Sequence, residues 1–145
     1  MAIPVPEPGL VLSYAYVWRL YGGMNTKRAQ RKGAKTGHVS SLLRWNRAGK
    51  TVVTVAAITH RKPTGTTVGI EIPLRVKAHL GLDAQPSWVI VSEVNAFVWP
   101  GYDLRPVPGK QGMAYGFLPP RLAEKIKTTI LELIASRRAV VNPRD

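Results

Sequence analysis

The chain has 145 residues, a length that fits one compact domain with its own core. Hydrophobic residues make up 45% and charged residues 20%, which excludes a disordered chain, and no stretch approaches the ~20 apolar residues of a membrane helix. With no cysteine and three histidines there is neither a disulfide framework nor the usual material of a zinc site, so no metal or cofactor is expected. The opening MAIPVPEPG has no basic stretch followed by an apolar one, and a cytoplasmic location is expected.

Charge is large and uneven. Lys and Arg number 21 against 8 Asp and Glu, a formal net charge of +13. Between Glu7 and Glu71 there is no acidic residue, while Arg19, Lys27, Arg28, Arg31, Lys32, Lys35, Arg44, Arg47, Lys50, Arg61 and Lys62 fall in that span. Such a field attracts a polyanion, with affinity that falls as salt rises. No apolar helical stripe accompanies the basic run, so nucleic acid is favoured over a membrane surface.

In chain order, GLVLSYAYVWR (9–19) places Leu10, Leu12, Tyr14, Tyr16 and Trp18 on one parity and predicts a strand. Residues 21–38 carry four Gly and five Lys/Arg without apolar periodicity and predict a long basic loop. Strands follow over 39–45 and 51–59, joined by an NRAG turn. A polar loop (60–67) and a short strand, VGIEI (68–72), come next. Pro73 at the first helical position and Gly81 past the end bracket a helix of about two turns. SWVIVSEV (87–94) predicts one strand, 96–99 and 104–107 short ones, and 108–116 a loop. Pro119–Pro120 opens a long helix with Leu122, Ile126, Ile130, Leu133 and Ile134 in an apolar stripe, and Arg137 and Arg138 in its last turn. The whole predicts a single mainly β (α+β) domain over 1–145, a small antiparallel β-barrel with a short helix and a C-terminal amphipathic helix.

Three stretches carry a resemblance: PGLVLSYAYVW, then VTVAAITH, then EIPLRVKAHLGLDAQPSWVIVSEVNAFVWPGYDLRPV with the later YGFLPP. Over about residues 8–138 the chain resembles the PemK/MazF-like toxins of type II toxin–antitoxin pairs. The resemblance implies an SH3-like barrel, a homodimer, and a metal-independent endoribonuclease that cuts single-stranded RNA and inhibits growth. It also implies a cognate acidic antitoxin whose tail occupies the RNA groove. The basic loop 21–38 would then flank that groove.

Metal-free RNA cleavage turns the substrate's own 2′-OH on the adjacent phosphate and leaves a 2′,3′-cyclic phosphate and a 5′-hydroxyl. A protein assists by moving protons and stabilising the phosphorane. The resemblance assigns Thr59, in AAIT, as a hydroxyl donor to a phosphate oxygen. Where the family has an Arg followed by Pro, this chain has His38 followed by Val39. An imidazole moves protons near neutral pH but supplies no permanent charge. Three readings stay open: His38 as acid or base, a weakened enzyme, or a non-catalytic barrel that binds nucleic acid or a partner peptide.

Phosphate contacts are expected from Lys27, Arg28, Arg31, Lys32 and Lys35 in the loop and from His60, Arg61 and Lys62 after the third strand, positioning RNA without reading bases. Alternation along the strand alone directs His60 away from Thr59's face and toward solvent. Tyr21, Trp45 and Trp99 are available for stacking, but Trp18, Trp88 and Trp99 also suit core positions, so no stack is assigned. His79 is expected at the surface, and Glu71 and Glu93 stand too far from another carboxylate to form a paired acid site.

Overall fold

The computed structural model describes residues 6–15, 36–99, 107 and 114–143, with side chains over 6–13, 48–99, 107 and 114–143. Along these residues run strands β1 (Leu10–Ala15), β2 (Thr36–Arg47), β3 (Lys50–Thr59) and β4 (Gly69–Glu71), then helix α1 (Leu74–His79). Strands β5 (Trp88–Ile90), β6 (Glu93–Val98) and β7 (Ala114–Phe117), helix α2 (Pro120–Ala135) and strand β8 (Val140–Pro143) complete them. The result is a small mixed α+β protein dominated by one eight-stranded sheet. None of its described helices is long and apolar enough to cross a membrane.

Strands β4-β5-β3-β2-β1-β7 lie in that order, while β6 also pairs with β3 and carries β8 on its far side. Every pairing is antiparallel except β6 with β8. Side chains alternate across a strand, and here both faces are buried. Val11, Ala56, Ile58 and Val89 meet Ile126, Ile130 and Leu133 of α2 on one face. Leu10, Leu12, Val53, Val55, Ala57 and Phe97 form a second cluster on the other.

Several boundaries differ from the sequence reading. Thr36–His38, expected in the loop, are the first residues of β2, because all three pair with Ser13–Ala15 and His38 also pairs with Ile58. The rest of the loop, 21–35, lies outside the described residues, as do residues 16–20, 100–106 and 108–113. The turn between β2 and β3 is a two-residue one, with Ala48 and Gly49 at φ 51° and 78°, the positive values a type I′ hairpin needs.

The strand expected over 87–94 is two strands. Ile58 pairs with Val89 but Val55 with Asn95, so three steps along β3 answer six along its partner. The surplus residues kink out at Val91–Ser92, where the Ser92 hydroxyl accepts the Val68 amide at 2.9 Å. Ala114–Gly116, expected in a loop, join β7 because β1 offers them a free edge. Val107, expected in a strand, is buried outside one. β8 was not foreseen; Asn142 on it donates to the buried Glu93 carboxylate at 2.9 Å, fastening it to β6.

Both helices follow a Pro-opened pattern: Pro73 is the N-cap of α1 rather than its first helical residue, and Pro119 caps α2, which begins at Pro120. Each closes in a Schellman turn: Leu82 N donates to Lys77 O and Gly81 N to Ala78 O, as Arg138 N does to Leu133 O and Arg137 N to Ile134 O. Gly81 (φ 73°) and Arg137 (φ 58°) take the left-handed position. Arg137 and Arg138 therefore follow the helix instead of ending it. Of the α2 stripe, Ile126, Ile130 and Leu133 are buried, Leu122 packs at the margin and Ile134 is 37% exposed.

Candidate functional site

Ala57 is the last buried residue on its face of β3, and Thr59, two residues on, carries that face to the half-buried end of the strand. The Thr59 hydroxyl accepts the Arg61 amide at 3.1 Å, turning the chain sharply away. His60, Arg61 and Lys62 follow as exposed residues. On the neighbouring strand, His38 pairs with Ile58 and with Ser13, one register step from Thr59. The two residues assigned to catalysis thus occupy adjacent strand ends, but His38, as the register partner of Ile58, falls on the face of the sheet opposite Thr59. Ser13 Oγ is buried with no hydrogen-bond partner among the described residues.

Across β3's other edge, Thr59 pairs with Trp88 of β5, and Trp88 pairs in turn with Glu71 of β4. Register partners share a face. Thr59, Trp88 and Glu71 therefore form a row on the face opposite Ile58, Val89 and Ile70, and its exposure rises from half-buried at Thr59 and Trp88 to open at Glu71.

His60 does not project idly into solvent. Its Nε2 lies 2.8 Å from Asp83 Oδ2, and its Nδ1 lies 2.9 Å from Ser87 Oγ and 3.2 Å from Pro86 O. Lys77 of α1 closes the ring: its ammonium, 1% exposed, donates to Asp83 Oδ1 at 2.7 Å, to Ser87 Oγ at 2.6 Å and to Gln85 O. All three ammonium protons are used, which is what a buried Lys requires. The Lys77 hydrogen bond, with the Gln85 amide and the charges of His60 and Lys77, holds the Asp83 carboxyl at about 2 against its ordinary 3.8, desolvation working the other way.

This ring has the composition of a serine nucleophile site, with a hydroxyl between an amine and an imidazole and a carboxylate behind. It cannot serve as one. Ser87 is 1% exposed, and its oxygen faces inward to Lys77. Both His60 nitrogens are committed to the chain's own oxygens, so His60 braces the strand end and adds exposed polar surface. The ring fastens the residue after Thr59 to the residue before Trp88.

Lys77, Asp83 and Ser87 were missed in the sequence. The available signal was the position of Lys77 beside Val76 and three residues before Leu80, on the buried side of α1. His79 is exposed, as expected. Lys27, Arg28, Arg31, Lys32, Lys35, Trp18 and Tyr21 lie outside the described residues.

The fold and this strand end define a sheet-dominated α+β protein with a hydroxyl, an imidazole and two exposed cations at one edge. Comparison with protein-family models, with curated proteins and with solved structures finds no match.

Proposed function

We propose that the chain is a metal-independent endoribonuclease of the PemK/MazF toxin type, acting on single-stranded RNA. The observation that carries the reading is Thr59 at the half-buried end of β3 with Arg61 and Lys62 exposed directly after it; His38, the register partner of Ile58, falls on the opposite face of the sheet and does not join that group. The net charge of +13 supplies the attraction for a polyanion. Burial of both sheet faces supports the SH3-like barrel that goes with this reading. A homodimer and an acidic antitoxin belong to the same proposal.

In the reaction the substrate's 2′-oxygen bonds to phosphorus and the bond from phosphorus to the 5′-oxygen breaks. Water takes the 2′-OH proton and returns one to the leaving 5′-oxygen. The Thr59 hydroxyl donates to a non-bridging oxygen while Arg61 and Lys62 offset the phosphorane charge. His60 positions and does not shuttle.

The test is incubation with long single-stranded RNA in excess EDTA. Fragments ending in cyclic phosphate, lost in Thr59→Ala, are the expected result. RNA that stays intact yet shifts on a gel overturns the nuclease reading in favour of a non-catalytic binding barrel.

A further inference from the structure

Trp88 is an aromatic side chain left half-buried beside the proposed cleavage site rather than absorbed into the core. As the register partner of Thr59 it shares that residue's face, and directly opposed side chains stand about 5 Å apart at Cβ. Glu71 follows one strand further, roughly 10 Å from Thr59 at ~4.8 Å per strand, about the reach of one nucleotide from phosphate to base edge.

The surroundings of Trp88 are shaped to expose a flat surface. Gly69, diagonal to it, has no side chain, and a Cβ there would stand 3.3 Å from Trp88 Cβ and 2.4 Å from Pro63 Cγ. Pro63 thus lies against the same face as a wall, brought there by the turn that carries Arg61 and Lys62. The backbone beneath is held firmly: Ser87, the preceding residue, is tied to Lys77 and His60. A platform that does not move on binding loses little entropy when a ligand settles on it.

Resting on the endoribonuclease reading, we propose that Trp88 is a nucleobase-stacking residue, seating the base next to the phosphate that Thr59 contacts. Single-stranded RNA is held by this combination of cations on the backbone and aromatic faces under the bases. The Glu71 carboxylate repels a phosphate and accepts an N–H from a base edge, so base and not backbone occupies this side of Thr59.

The experiment measures affinity of the full chain for a short 2′-O-methyl oligoribonucleotide, which has no nucleophile and stays uncut. Each base in turn is replaced by an abasic unit, and wild type, Trp88→Phe and Trp88→Ala are compared over a range of salt. Trp88→Ala weakens binding about ten-fold. Trp88→Phe keeps most of the affinity, and the salt slope stays unchanged because no phosphate contact is lost. One abasic position weakens wild type and has no further effect on Trp88→Ala, a coupling that misfolding does not produce. Equal binding by wild type and Trp88→Ala, abasic costs that are the same in both, or no binding by wild type overturns the stack. Coupling at Trp88 without cleavage of ordinary RNA keeps the stack and sinks the nuclease; cleavage with no such coupling does the reverse.

Discussion

His60 Nδ1 and Ser87 Oγ, 27 residues apart in sequence, stand 2.9 Å apart in space, and the contact joins the end of β3 to the start of β5. Thr59 precedes one partner and Trp88 follows the other. Their spacing is therefore held twice, by the strand register and by a side-chain ring outside it.

Lys77→Met tests that ring from its buried member. Methionine fills a similar volume but leaves Ser87, Gln85 and Asp83 without three charge-assisted donors. Asp83 is 43% exposed and regains water, whereas Ser87 does not. A loss of about 1.5–3 kcal/mol is expected in urea unfolding, with an unchanged slope.

The depressed Asp83 carboxyl makes a pH signature. Its folded value of about 2 lies below the ordinary 3.8, so its stabilisation is fully present above pH 3.8 and lost as pH falls through 2. Because the side chain is 43% exposed, solvent screening keeps the contribution small. Acid titration of stability should show wild type losing ground over this window relative to Asp83→Asn, which lacks the titrating group.

Arg137 occupies a position that favours glycine. Its φ of 58° in the turn closing α2 is costly for a residue with a Cβ. Arg137→Gly should raise stability by roughly 1 kcal/mol, read as a higher midpoint in urea. A lower midpoint would show that the Arg side chain contributes more than its backbone strain costs.

His38→Ala tests which face of the sheet the chemistry uses. As the register partner of Ile58, His38 stands on the face opposite Thr59. The variant should cleave at close to the wild-type rate, while Thr59→Ala loses about a hundred-fold. A His38→Ala that no longer cleaves would bring the imidazole into the site.

The main elements were legible because their patterns are local: Leu10–Leu12 and Val53–Ile58 are runs buried on both faces of the sheet, and Ile126–Ile130–Leu133 is a helical stripe. What was hidden depends on distant partners. The break at Val91–Ser92 exists because β3 meets β5 and β6 in different registers. Val140–Pro143 become a strand only because β6 presents an edge and Glu93 needs a donor. Thr59 was assigned by resemblance alone; of the Lys77 ring only Lys77 carried a local signal, its place on the buried side of α1, while His60, Asp83 and Ser87 are polar residues that read as surface until α1 packs. Trp88 read as core for the opposite reason: tryptophan is apolar, and only the register places it beside Thr59.

The sheet also sets an order on the chain's own assembly. β1 receives β2 on one edge but waits for Phe117 to fill the other, and β6 waits for Val140–Pro143. Until residues 114–143 are added, the edges of β1 and β6 that β7 and β8 fill stand open. Such late, long-range pairings slow folding and leave strands open to wrong partners in the interval. An unfilled edge beside β1 or β6 offers another chain a place to add a strand.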